Sequence, residues 1–245
     1  MIGSFTLALE VSQPLSTCLE LNYIYRPEQS LANAWHYRPF QLRCQKFNPP
    51  PFVATVKVVF HSASGNTRAL AEAVHEGAAQ FADAELLEIH GADIEAGRFK
   101  NEEFLAKLDG ADAIIFGSPT YMGMVSGQLK CLLDASSGRW MAGTWNGKLS
   151  AGFTTSLGFS GDKQSTLSYL ATFACQHGML WVGSDAPNGL FSGESMEEAT
   201  NRLSSNLGVM SQVNFGPEYK PTPGDLKTGS LLGARVAKLA AKLVG

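Results

Sequence analysis

The stretch VKVVFHSASGNTRALAEAVHEG, residues 56–77, decides the fold of this chain. A run of β-forming residues from Val56 to Phe60 stops at His61 and is followed by a polar loop rich in hydroxyl groups. Apolar residues with helical spacing begin directly after this loop. The stretch therefore predicts a strand, a tight polar turn and a helix, and it raises the question of what the turn binds.

The rest of the chain repeats this unit. Apolar runs predict four further strands, at residues 85–89, 112–117, 149–154 and 179–183. Helical spacing is present at residues 70–81, 129–133, 167–174 and 232–243. Strands that alternate with helices predict an α/β fold with a doubly wound, five-stranded parallel sheet, because right-handed crossovers between parallel strands place helices on both faces. In such sheets, ligands bind at the carboxyl ends of the strands.

Charge and cysteine content exclude several classes of function. The chain has 245 residues, a formal net charge of −3 and a pI near 6.0, without runs of like charge, so we expect no nucleic acid partner. The four cysteines lack the spacing of a zinc site, so we expect no metal and free thiols in a reducing, cytoplasmic compartment. No apolar stretch reaches the length of a membrane span, so we expect no membrane partner.

Residues 1–54 differ from the rest of the chain in composition and in periodicity. They have scattered aromatic residues and no sustained period, and they end in the Pro-rich stretch FNPPPF. We predict an irregular N-terminal extension over residues 1–54 and one domain over residues 55–245. An ordered arm, a disordered tail and an upstream extension of the reading frame all remain open for the extension.

The first loop, HSASGNTR at residues 61–68, has the features of an anion site. A strand-to-helix turn directs backbone N–H groups and the positive end of a helix at one point, and Gly65 permits a positive φ. Neither GxxxxGK[ST] nor GxGxxG occurs, so a terminal phosphate monoester fits better than a triphosphate or a dinucleotide. The alternative is a capping turn that binds nothing. Side-chain donors come from Ser62, Ser64, Asn66 and Thr67.

Two further loops follow predicted strands. The second loop, GSPTYMGMVSGQLK at residues 117–130, places the bulky Tyr121 and Met122 at a polar strand end, where a flat aromatic ligand or an ordinary exposed turn would explain them. The third loop, TTSLGFSGDKQS at residues 154–165, combines hydroxyl groups with glycines that allow a ligand close to the backbone. Together the three loops predict a pocket with a phosphate end and a side for a flat ring.

The segments SASGNT, GSPTYMGMVSGQLKCLLD and FTTSLGFSG, in this order, resemble the flavodoxin-like family. They are most similar to the NAD(P)H:quinone oxidoreductases of the tryptophan-repressor-binding-protein type and to the NADPH-dependent FMN reductases. The resemblance covers about residues 56–183 and the last helix, and it implies noncovalent FMN, NAD(P)H as electron donor, a quinone-type acceptor and a homodimer or homotetramer. It implies FMN contacts from Ser62, Ala63, Ser64, Gly65, Asn66, Thr67, Pro119, Thr120, Tyr121, Met122, Gly123, Thr155, Ser156, Leu157, Gly158, Phe159, Ser160 and Gly161.

The resemblance also assigns roles beyond the three loops. Trp140 matches a tryptophan that stacks on the nicotinamide cofactor or the substrate, and His177 matches a histidine that a neighbouring subunit places near the flavin. His177 or Tyr121 would donate a proton to the reduced acceptor. The alternatives are a buried anchor for Trp140 and, for His177, a helix C-terminal residue ahead of Gly178.

The chain departs from the family pattern in places that bear on function. Ser64 replaces a tyrosine in the first loop, Tyr121 replaces an arginine in the second, and Leu157 and Phe159 make the third less glycine-rich. We expect an FMN-dependent oxidoreductase that passes electrons from NAD(P)H to a quinone-type acceptor. The alternatives are a flavodoxin-type electron carrier, against which the small net charge argues, and a cofactor-free regulatory module.

The segment after the fifth predicted strand, residues 184–225, is long for a connector. We expect it to cover the flavin edge or an intersubunit surface, with a short helix over MEEATNRLSSNLG, residues 196–208.

Overall fold

The computed structural model describes residues 53–213 and 220–244. The predicted N-terminal extension, residues 1–54, lies outside the described residues except for Val53 and Ala54, so its irregular character and its boundary remain predictions. No helix within the described ranges has the length and apolar composition needed to cross a membrane.

A parallel sheet between two layers of helices forms the domain. The strands are β1 (Thr55–Phe60), β2 (Asp83–Glu88), β3 (Ile94–Glu95), β4 (Arg98–Phe99), β5 (Ala113–Tyr121), β6 (Met124–Val125), β7 (Leu149–Ser156), β8 (Leu180–Trp181) and β9 (Val209–Gln212). The helices are α1 (Asn66–Ala79), α2 (Glu102–Asp109), α3 (Gly127–Ala135), α4 (Ser137–Ala142), α5 (Lys163–Gln176) and α6 (Pro223–Val244).

The order of the strands confirms the predicted doubly wound, flavodoxin-like fold. Neighbouring strands follow the order β2-β1-β5-β7-β8, and every pair along this path is parallel. The central strand β5 is buried from Ala113 to Pro119, as its continuous apolar run predicts for a strand covered on both faces. The predicted helical face at residues 70–81 is too long, because α1 ends at Ala79 and Phe81 is exposed.

The fifth strand differs from its prediction at residues 179–183. Strand β8 pairs only with Leu149 and Ser150 at the start of β7, and β9 pairs with the last residues of β7, from Phe153 to Ser156. The segment between β8 and β9 is therefore inserted into the middle of the fifth strand and does not follow it. A deletion across residues 188–214 would therefore also remove β9 from the sheet.

The short helix predicted over residues 196–208 is wrong, because this stretch forms turns. The side-chain oxygen of Asn201 accepts a hydrogen bond from the backbone N–H of Ser205 at 2.8 Å, and the Asn201 backbone N–H donates to Thr228 Oγ1 at 2.7 Å. Asn201 and Ser204 both have positive φ. These side chain–backbone hydrogen bonds satisfy groups that a helix would otherwise pair, so the helical pattern does not form.

Two apolar clusters, one on each face of the sheet, form the core. One joins β1 to α1 and α6, where the helices approach so closely that a Cβ added at Gly233 would lie 1.9 Å from the carbonyl oxygen of Val74. The other joins Val59 and Phe116 to α2, α3 and α5, with Phe173 packed edge-on against Phe116 at 5.6 Å between ring centroids. The helices on both faces leave the carboxyl ends of β1, β5 and β7 open at one edge of the sheet.

Candidate functional site

The three polar loops meet at the carboxyl end of the sheet. Strands β1, β5 and β7 are adjacent and parallel, with Phe60 opposite Gly117 and Pro119 opposite Thr155, so the chain leaves all three strands at the same edge. The hydroxyl groups of Thr67 and Thr155, buried and 2.9 Å apart, join the first loop to the third. The structure therefore brings together residues that are about 90 positions apart in sequence.

The first loop leaves the start of α1 open. Gly65, with φ of 87°, precedes the helix, and α1 has neither a side-chain cap nor an acidic residue in its first turn within the described residues. Ser62 Oγ accepts a hydrogen bond from the Gly65 N–H at 3.1 Å, and Ser64 Oγ accepts one from Asn66 Nδ2 at 3.2 Å. Since none of these side chains caps the helix, the capping alternative does not describe this loop. The N–H groups of the first turn of α1 remain available to an anion.

The second loop contains a tight hairpin between β5 and β6. Met122 and Gly123 form its turn with φ of 48° and 79°, the positive values of a type I′ turn, and the Met122 side chain projects into solvent. Tyr121 is 46% exposed. The sequence offers the Thr120 hydroxyl to a ligand, but in the structure this group lies 2.8 Å from the hydroxyls of both Thr154 and Thr166. The exposed large side chains of the hairpin turn, Tyr121, Met122 and Met124, are aromatic or apolar.

The third loop turns sharply between β7 and α5. Gly161 and Asp162 both have positive φ, and a Cβ added at Gly161 would lie 2.2 Å from Ser156 Oγ. Leu157 and Phe159 are exposed, at 53% and 60%. With Tyr121 and Met122 they place apolar surface on both sides of the open edge.

Lys163 is a residue of this site that sequence reasoning missed. Its side chain is completely buried and folds back under the third loop, where Nζ donates to Ser156 Oγ at 2.8 Å, to the Gly158 carbonyl at 2.6 Å and to the Phe159 carbonyl at 2.9 Å. Burial lowers the pKa of Lys163 to about 8; the Asp225 carboxylate opposes this shift and the Arg202 guanidinium adds to it. The sequence does contain one signal for this residue: a lysine stands at the first position of a helix, where the helix dipole disfavours a cation.

A buried ion pair supports the third loop from the other side. Arg202 of the inserted segment donates from Nε and Nη2 to the two carboxylate oxygens of Asp225 at 2.9 and 3.0 Å. The same carboxylate accepts hydrogen bonds from the Ser211 hydroxyl and the Gln212 N–H. Gln212 Nε2 in turn donates to the Leu157 carbonyl at 3.1 Å. The inserted segment therefore lies behind the loop at the open edge, a position that no local sequence signal indicates.

His177 lies at the other end of the sheet. It ends α5 as its C-cap, Gly178 beside it accepts a hydrogen bond from the Gly147 N–H ahead of β7, and the eight residues of β7, about 26 Å, separate it from the third loop. His177 Nε2 is 2.9 Å from Ser136 Oγ, and burial lowers its pKa. Within one chain His177 is thus a structural residue, as the helix-terminal alternative states. Its role at the flavin of a neighbouring subunit stays a prediction.

Trp140 also lies away from the loops of its own chain. It is on α4 and is 48% exposed, so the alternative of a buried anchor is wrong. Trp145, by contrast, is fully buried: it stacks on His177 at 4.7 Å between ring centroids and donates from Nε1 to Asp109 at 2.8 Å. The stacking role that the resemblance gives Trp140 stays a prediction.

The comparisons with known proteins agree with this architecture. The sequence model of the family described as NADPH-dependent FMN reductase matches residues 57–188. The chain belongs to this family. As a member it is a flavin-dependent oxidoreductase, with FMN as cofactor and NAD(P)H as electron donor.

The relatives of this family member are named either as flavodoxins or as NAD(P)H dehydrogenases (quinone). The chain is 37% identical over 187 residues to flavodoxin FldP of Pseudomonas aeruginosa (strain UCBPP-PA14), covering 76% of this chain and 96% of that protein. It is 34% identical over 206 residues to an NAD(P)H dehydrogenase (quinone) of Archaeoglobus fulgidus, covering 78% and 100%. A solved flavodoxin, WrbA-like protein from Agrobacterium tumefaciens has a TM-score of 0.58 and 39% identity, covering 77% and 98%.

The open edge fits FMN in two respects. The uncapped start of α1, without an acidic residue in its first turn within the described residues, suits a phosphate dianion. The exposed side chains of Tyr121, Met122, Leu157 and Phe159 offer apolar surface to a flat ring at this edge.

Proposed function

We propose that this member of the family passes electrons from NAD(P)H to a quinone-type acceptor, with FMN held by the three loops. The observation that carries the proposal is the open start of α1 beside exposed apolar side chains at one edge of the sheet. When bound, FMN supplies the redox chemistry: it accepts a hydride and passes two electrons on. The protein contributes binding, orientation and electrostatics.

Each loop has a distinct part in the proposed site. Backbone N–H groups at residues 62–67, with the hydroxyls of Ser62 and Ser64, hold the phosphate. Residues 119–123 line the ring, and residues 155–161 flank it. Thr155 acts through its backbone, because its hydroxyl is bonded to that of Thr67. The exposed phenol of Tyr121 is positioned to donate a proton to an acceptor stacked at the open face.

A second copy of the chain would complete the site. We place Trp140 of a neighbouring copy at the acceptor side, in a homodimer or homotetramer. The exposure of Trp140 and of Met141 next to it on α4 supports this placement, because two adjacent large apolar side chains in solvent suit an interface. Light scattering on an eluting sample measures the oligomeric state, and a monomer under assay conditions would contradict this part of the proposal.

Steady-state kinetics test the proposed function. Purified protein saturated with FMN should oxidise NADH or NADPH rapidly only when a benzoquinone is present, and FMN should bind more tightly than FAD because the first loop suits a terminal phosphate. Tyr121→Phe should lower quinone turnover while the Kd for FMN stays the same. Absence of quinone reduction with either donor would overturn the proposal.

A flavodoxin-type carrier is the second candidate, and the relative named flavodoxin FldP favours it. A carrier would take electrons from a separate reductase and would not turn over with NAD(P)H and quinone alone. The formal charge of −3 lacks the strong acidity with which such carriers dock on basic partners. The same assay, with and without an added flavodoxin reductase, separates the two candidates.

A further inference from the structure

A buried cation lies under the third loop. Lys163 is the first residue of α5, where the positive end of the helix dipole disfavours an ammonium group, and the residue has no solvent exposure. Such an arrangement persists only where the charge is well solvated by the protein. All three N–H bonds of the ammonium are used, on Ser156 Oγ and on the carbonyls of Gly158 and Phe159.

The loop above this lysine is strained. Gly161 and Asp162 are consecutive residues with φ of 52° and 53°, and for Asp162 this conformation costs free energy. A non-glycine residue with positive φ persists when its surroundings hold it in place. Here the support comes from below, through Lys163, and from one side, through Gln212 and the Leu157 carbonyl.

The charged groups around Lys163 do not neutralise it directly. The buried carboxylate of Asp225 already accepts hydrogen bonds from Arg202, Ser211 and the Gln212 N–H, and no salt bridge joins it to Lys163 within the described residues. Arg202 carries a second buried positive charge, and Asp162 is an exposed neighbour. The buried groups therefore leave an excess positive charge behind the third loop, facing carbonyl oxygens of that loop.

We propose that Lys163 is a positioning residue for the cofactor: its buried ammonium holds the third loop in the conformation that flanks the flavin ring. The proposal rests on the proposed placement of FMN at the three loops and adds a residue to it. Lys163 contacts the loop and does not line the open edge, so it acts through the carbonyls of Gly158 and Phe159.

A dependence of flavin affinity on pH follows from this geometry. Because burial lowers the pKa of Lys163 to about 8, the group loses its proton within an accessible range of pH. The neutral amine has only two N–H bonds for three acceptors, and its lone pair repels a carbonyl oxygen. The loop therefore loosens, and FMN affinity falls, as pH rises through about 8. The phosphate of FMN does not contribute, because its second pKa is about 6.

Titration of Lys163→Met with FMN and with riboflavin at about pH 7 and about pH 9 tests this idea. At the lower pH the substitution should weaken both flavins by about tenfold, the free-energy scale of one lost charge-assisted hydrogen bond. The wild type should lose affinity at the higher pH, and the variant should not. Lys107→Met, on α2 and exposed, is the matched control and should behave as wild type. Wild-type affinities and wild-type pH dependence in Lys163→Met would overturn the proposal.

Hydrogen–deuterium exchange of the flavin-free protein provides a readout that needs no cofactor. Amides at residues 156–162 should exchange faster in Lys163→Met than in wild type, while those of α1 should not change. If neither wild type nor the variants bind flavin, the proposed function fails. Hydrogen–deuterium exchange still decides the role of Lys163, because equal exchange in the third loop of wild type and Lys163→Met refutes it. Lys163→Gln, which keeps an N–H donor, should show intermediate exchange and serves where the methionine variant does not fold.

Discussion

At the amino end of the sheet, Asp109 binds Trp145, Arg139 and, through its carbonyl oxygen, Lys148, so these residues are paired within the chain. At the carboxyl end, α1 begins without a side-chain cap in the described residues, and Tyr121 and Met122 are exposed. Stability and ligand binding therefore depend on opposite ends of the sheet. Groups satisfied by the chain itself stabilise it, whereas open donors beside exposed apolar surface indicate a ligand.

The largest expected effect concerns stability at the amino end. Trp145→Ala should lower the free energy of unfolding by about 3–5 kcal/mol, because it empties a fully buried site and removes one of the donors to Asp109. The exposed Trp140 is the control, and Trp140→Ala should cost less than about 0.5 kcal/mol. Urea denaturation measures both values. The FMN affinity of folded Trp145→Ala should match that of wild type. A large loss of FMN affinity would show that the amino end of the sheet also contributes to flavin binding.

The next effect concerns ligand affinity at the carboxyl end. Ser64→Asp should weaken FMN binding about 10- to 100-fold, because it places a negative charge beside the phosphate. Riboflavin, which has no phosphate, should bind this variant as it binds wild type. Ser137→Asp adds the same charge on exposed α4 at the amino end and should leave both flavins unaffected. If Ser64→Asp binds FMN normally, the first loop does not hold the phosphate.

A smaller effect appears at both ends as pH falls. Burial lowers the pKa of His61, which follows β1, and of His177 below the value of 6.5 that holds in the unfolded chain. Below pH 6.5 the unfolded chain therefore binds more protons than the folded one, and stability decreases with falling pH by at most about 1.4 kcal/mol per histidine and pH unit. Melting temperatures between about pH 7 and pH 5 measure the slope. His61→Gln with His177→Gln should flatten it, and an unchanged slope would assign the effect to other groups.

The smallest effect is expected on removal of the N-terminal extension. A protein that begins at Val53 retains all of β1, which starts at Thr55, so its FMN affinity should stay within about twofold of the full chain. Fluorescence titration of the two proteins checks this. A marked loss of flavin or of folded protein would show that the first 52 residues belong to the domain.

Much of the fold could be predicted because its signals are local. The run from Val56 to Phe60 predicts a buried strand, and the polar turn after it predicts the end of that strand. The apolar spacing of α1 predicts which face of the helix is buried. Alternation of such units fixes a parallel sheet, and the loops at its carboxyl end could then be assigned to one edge. The placement of residues 62–67, 119–123 and 155–161 side by side follows from this reasoning alone.

The other features of the fold and of the site depend on contacts between residues that are far apart in sequence. Strands β8 and β9 share one position beside β7 although 27 residues separate Trp181 from Val209, and no local pattern marks such an interruption. The carboxylate of Asp225 meets Arg202 at a distance of 23 positions, and His177 meets Ser136 across 41. Periodicity determines which side of an element is buried. It does not determine which side chains of other elements lie there, so the support of the third loop and the buried place of His177 were decided only by tertiary packing.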